Sequence, residues 1–172
     1  MPKIKIEMKK LSFFAAIMLF VNIAFAQSLD DVKKYVLLNQ TKPAKEAIDK
    51  YLAVPKNALK PDGWYYKGYA YDLTSKDSGL TIEQAAAFKS ESFDAIKKYF
   101  ELDAKGPLSV EQNNSVLFDL YAGYSSDLGV KAYTKKDFTT AHECFKKALE
   151  VHDFVYSKNL AGANNYKFAA MD

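Results

Sequence analysis

Ala47-Ile48-Asp49-Lys50-Tyr51 recurs in altered form as Ala95-Ile96-Lys97-Lys98-Tyr99 and as Ala141-His142-Glu143-Cys144-Phe145. A small residue and an aromatic ring four positions apart lie on one face of a helix. The small residue lets a second helix approach, and the ring fills the space beside it. Three copies of one contact predict pairs of helices that stack on one another. Around them, apolar residues recur at three-to-four spacing, and no segment alternates as a strand between hairpin turns. The periodicity predicts an all-α chain with helices over 29–39, 43–54, 61–74, 81–103, 109–134 and 137–152. Thr81 with Gln84, and Ser109 with Gln112, have capping-box spacing, and Pro43 suits a first helical turn.

The repeat resembles the tetratricopeptide repeat (TPR), whose pattern is W-x₂-L-G-x₂-Y followed by A-x₃-F on helix–turn–helix units of about 34 residues. Trp64, Gly68 and Tyr71 match the first half of a unit, with Lys67 where Leu is expected. Leu128, Gly129, Ala141, Phe145 and Ala148 match a later unit, and Ala47 and Tyr51 an earlier one. The spacing departs from the family: Ala47, Ala95 and Ala141 are 48 and 46 positions apart. The extra length lies between Tyr71 and Ala95 and between Tyr99 and Leu128. It reads as lengthened helices. The resemblance therefore implies a TPR-like helical-hairpin solenoid with lengthened helices, about three pairs over residues 27–152. The style is that of exported TPR proteins of the Bacteroidetes type.

In that family the first helices line a concave groove. The resemblance places Tyr65, Tyr69 and Asp72 of one such helix there, with Asn39, Ser126, Val130 and Tyr133 of others. Tyr65 and Tyr69 share a face distinct from that of Trp64 and Tyr71. They suit contact with a peptide or sugar, or else packing under the neighbouring helix.

Before the repeats, Lys9-Lys10 leads into the apolar run Leu11–Ile23 and then Ala24-Phe25-Ala26. A basic start, a short apolar run and a small-x-small end read as a secretory signal peptide over 1–26. The run holds Asn22 and falls short of the roughly 20 residues that span a bilayer. The expected location is periplasmic or extracellular, with no stable membrane insertion after cleavage. The formal charge of +3 also belongs to this leader, which carries four lysines against Glu7. The remainder is formally neutral and the chain has no arginine, so nucleic acid is not an expected partner.

No phosphate loop, H-E-x-x-H or G-x-S-x-G motif occurs. His142 and His152 are the only histidines and lack ligand spacing, and the one cysteine, Cys144, reads as a small buried hydrophobe. No catalytic residue, metal or cofactor is therefore expected. The expected function is an exported scaffold that binds a protein or peptide partner in a Tyr-rich groove. Two other classes stay open: a binder of glycans or small ligands, and the helical module of a longer enzyme. After residue 152, Gly162, Asn164 and Asn165 interrupt the apolar pattern. Residues 153–172 are thus expected to form a partial segment that does not cap the array, leaving an end open to self-association or to a further repeat. Cleavage after Ala26 predicts that N-terminal sequencing of exported protein reads Gln27-Ser28-Leu29. A retained Leu11–Ala26 segment in the membrane fraction would contradict it.

Overall fold

The structure, a computed structural model, describes residues 28–160. The leader (1–26) and the tail from 161 onward lie outside the described residues. Within them the chain is helical, with no strand. It runs through α1 (Leu29–Leu37), α2 (Thr41–Leu52), α3 (Pro55–Ala58), α4 (Pro61–Ser75), α5 (Ile82–Leu102), α6 (Pro107–Glu111) and α7 (Ser115–Ala122). A π-helical segment (Gly123–Gly129) joins α7 to α8 (Val130–Thr134), and α9 (Phe138–Ser157) follows.

The helix ends follow from local chemistry. Ser28 and Asp31 cap α1 reciprocally, as Thr81 and Gln84 cap α5: Gln84 N–H donates to Thr81 Oγ1 at 3.2 Å, and Thr81 N–H to Gln84 Oε1 at 2.9 Å. Proline opens α3, α4 and α6, where its missing N–H would have had no helical partner. Asn39 ends α1 in the left-handed region, with φ of 51°.

Two stretches differ from the sequence reading. The helix expected over 109–134 is broken, because Asn113 and Asn114 both take left-handed backbone. Ser109 does not cap a helix. It lies buried in α6 and donates from Oγ to Asn114 Oδ1 at 2.9 Å. At the other end α9 continues to Ser157, five residues beyond the expected boundary, since Phe154 and Val155 carry its apolar face into the core.

Three hairpins pack in chain order. α1 pairs with α2, α4 with α5, and the rod α7–π segment–α8 with α9. α2 packs on α4, while α5 and α4 both touch the third hairpin. The recurring small–aromatic pairs lie at these contacts: Ala47, Tyr51, Ala95, Tyr99 and Ala141 are all buried. Gly129 has no room for a side chain, because a Cβ there would come within 2.6 Å of Phe145 Cε1 and 2.8 Å of the Tyr124 carbonyl oxygen.

These contacts set expected stabilities. Gly129→Leu should overpack the third hairpin by roughly 1–3 kcal/mol. Tyr99→Ala should cost roughly 3–5 kcal/mol through lost burial and a cavity. Lys98→Ala, at a side chain 44% exposed, should stay within about 0.5 kcal/mol of the parent. Denaturant midpoints measure all three.

Candidate functional site

α4 is apolar on every side, and this decides which of the expected groove residues remain accessible. Tyr71 and Ala70 join the core shared with α1 and α2, while Tyr65 enters the larger core shared with α5, α7 and α9. Tyr65 is only 1% exposed, so it is a core residue and not a groove residue. Its ring lies 5.4 Å from that of Tyr99. The cause is the extra chain between α5 and α7. α6 folds back onto α4, Leu108 packs on the same core, and its N–H donates to Tyr99 Oη at 2.8 Å. Burial pushes the Tyr65 phenol up, and its hydroxyl has no hydrogen-bond partner among the described residues. Tyr69 is half-buried and packs against both cores.

Asp72 is fully buried, which also removes it from any open groove. Lys89 Nζ, on α5, meets its Oδ1 at 2.8 Å, and Lys76 Nζ meets its Oδ2 at 2.9 Å. Lys76 also reaches Asp119 Oδ2 at 2.8 Å, and Lys89 donates to the Asp119 carbonyl at 3.3 Å. Two lysines and two carboxylates thus join α4, α5 and α7 with no net charge. Burial works against the charge on Lys76, but Asp72 and Asp119 outweigh it and hold its pKa above the ordinary lysine range. The Lys89 chain fits because position 123 is glycine; a Cβ there would collide with Lys89 Cε and Nζ. The π-helical segment begins at that residue, and such segments occur often at functional sites.

Lys89 forms part of the floor of a groove of about 720 Å³ between the α4–α5 turn and the third hairpin. Leu80, Ile82, Ala85 and Leu128 give it an apolar strip, and Lys76, Glu83, Asp127, Lys131, Lys135 and Asp137 add charge. Asp137 is committed to capping α9, accepting from Thr140 N–H at 3.1 Å. Glu83 is held below its usual range by a hydrogen bond with Thr81, with a smaller pull from Lys135. A second hollow, of about 270 Å³, lies between α5 and α9 over Tyr124 and Cys144. Burial pushes the Cys144 thiol up, which opposes thiolate chemistry there.

The other expected residues are exposed but scattered. Asn39 sits in the α1–α2 turn, far along the chain from the groove lining. Ser126, Val130 and Tyr133 share one exposed face of the third hairpin, but they do not line the groove. Tyr133 pairs instead with Phe138, ring centroids 5.5 Å apart. The groove's own residues were missed because they come from helix ends and a turn. Their one sequence signal is Leu128, Lys131 and Lys135 at helical spacing.

No group of three or more His, Cys, Asp or Glu side chains that could hold a metal ion occurs among the described residues. None of the described helices is long and apolar enough to cross a membrane. No protein-family model matches the chain, and comparison with curated proteins and with solved structures returned no match.

The ion-pair network predicts a specific double-mutant result. Lys89→Met should destabilise by roughly 3–5 kcal/mol, because it leaves Asp72 buried with less compensation. Adding Asp72→Leu should recover much of that loss, since no buried charge is then left over. Urea midpoints of the parent, the single and the double variant measure this. A double variant no more stable than Lys89→Met would contradict it.

Proposed function

We propose that the protein is a non-catalytic, exported scaffold of TPR-like hairpins whose groove holds a peptide or a segment of a protein partner. Support for the repeat comes from the three small–aromatic pairs and from the close contact of Gly129 with Phe145. The observation that carries the binding reading is the groove itself. Its volume of about 720 Å³ falls within the usual range of ligand sites, roughly 300–1,000 Å³. An apolar strip between lysines and carboxylates suits a peptide, which presents apolar side chains and charges together. The walls come from the ends of helices fixed in two cores, so little ordering is left to do on binding.

A glycan would want exposed ring faces. Tyr65 is buried, and the exposed rings of Tyr133 and Phe138 lie outside the groove. The peptide reading is therefore preferred.

Selection from a peptide library on the full chain, followed by affinity measurement, tests the proposal. Replacing both Lys131→Glu and Lys135→Glu should weaken selected peptides by roughly tenfold or more while leaving the unfolding midpoint near that of the parent. If no peptide is retained, or if the double variant binds equally well, the groove is not the partner site.

A further inference from the structure

The hollow of about 270 Å³ between α5 and α9 arises from a mismatch in side-chain size. In the C-terminal halves of the two helices, Phe93 and Phe100 each meet Phe154 with ring centroids 5.6 Å apart, and the rings close the gap. In the N-terminal halves the residues beside the gap include Ala86, Ser90, Thr140 and Cys144, which are too small to fill it. Tyr124, from the π-helical segment, lies at the bottom and donates from Oη to the Ala86 carbonyl at 3.2 Å. The hollow is smaller than the usual site for a whole ligand, roughly 300–1,000 Å³, and suits a single side chain of a larger one. Glu83 lines both this hollow and the groove, so the two spaces adjoin.

Charge selects that side chain. Glu83 of α5 and Glu143 of α9 stand at the rim, and both are exposed. Glu143 forms no ion pair among the described residues. Lys147 also lines the hollow, but its Nζ meets Glu150 Oε2 at 2.6 Å and is already matched. The floor senses the same sign: beyond burial, Asp137, Glu143 and Glu83 all push the Cys144 thiol up. An apolar floor under a negative rim complements an aliphatic stem that ends in a cation. Lysine and arginine have that form, and they bury the stem while keeping the charged head in water. The head then stays at the wet rim, where it keeps most of its hydration and still feels both carboxylates. We infer that the hollow takes a lysine or arginine side chain of the peptide that lies in the groove. The stem packs on Ala86 and Tyr124, and the head faces Glu83 and Glu143. This deepens the peptide-binding reading and rests on it.

Probes of the full chain separate the hollow from the groove. In NMR titrations, n-hexylammonium should shift the amide signals of Ser90, Thr140 and Cys144. n-Hexanol, with the same stem and no charge, should bind severalfold more weakly. Glu143→Gln, at an exposed site, should weaken hexylammonium severalfold with an unchanged unfolding midpoint. Peptides selected on the parent should carry lysine or arginine at one fixed position. Norleucine at that position should cost roughly tenfold in affinity for the parent and much less for Glu143→Gln. No shift with hexylammonium, or hexanol binding equally well, overturns the inference even where peptides are retained. So does a retained peptide indifferent to norleucine. A chain that binds hexylammonium in the hollow but retains no peptide overturns the groove reading, and with it the assignment of the hollow to a peptide side chain.

Discussion

Because α4 carries apolar side chains all round its circumference, it is stable only with neighbours on opposite sides. α1 and α2 take one side through Ala70 and Tyr71; α5 and the third hairpin take the other through Tyr65. That double demand fixes the order of the hairpins in space, since no other helix can stand between these layers. It also explains why the two cores meet at Tyr66 and Tyr69, which pack against both. Tyrosine is well suited to such a junction, with a rigid ring for packing and a hydroxyl that can turn to a polar edge. Tyr71 does this at its edge, donating to Asp49 at 2.7 Å.

Within this apolar sandwich, the Asp72–Lys89 pair needs a separate account. Apolar residues of similar size are often at least as stabilising at a buried site, so stability alone is a weak reason for an ion pair there. What the pair adds is position. Asp72 meets Lys76 on its own helix side and Lys89 from α5, and both lysines continue to Asp119 on α7. Three helices must keep their mutual register for every charge to be matched, whereas an apolar contact tolerates sliding. Gly123 and the π-helical turn that starts there leave the space for the Lys89 chain to lie across. The groove beside this cluster therefore has one wall whose placement is set by charge as well as by packing.

Much of the helical architecture was legible in the sequence because period and caps agree. The Thr81–Gln84 box marks the start of α5, and the three small–aromatic pairs mark the second helix of each hairpin. The break at Asn113 and Asn114 was also written in residue type, since asparagine tolerates left-handed backbone, but helical period on both sides masked it. The groove was not legible. The extra length read as lengthened helices; instead, the added residues between α5 and α7 fold back as α6 over the Tyr65 side, while Lys89 of α5 closes over Asp72. A buried carboxylate cannot be told from an exposed one by spacing when its partner, Lys89, lies seventeen positions away on another helix.

The third hairpin then presents different chemistry on different faces. Toward α5 it offers the groove, with Leu128, Lys131 and Lys135 on one wall. Toward α9 it offers Gly129, which leaves no gap between the rod and Phe145. Leu128, the neighbouring residue in the chain, lines the groove, so the closest contact within the hairpin also sets where that wall stands. The groove is therefore shaped from two directions: by Lys89, held at its floor by Asp72, and by the packing of the rod against α9 behind its wall. A change that loosened the second would move Lys131 and Lys135 with it, without touching either charge of the buried pair.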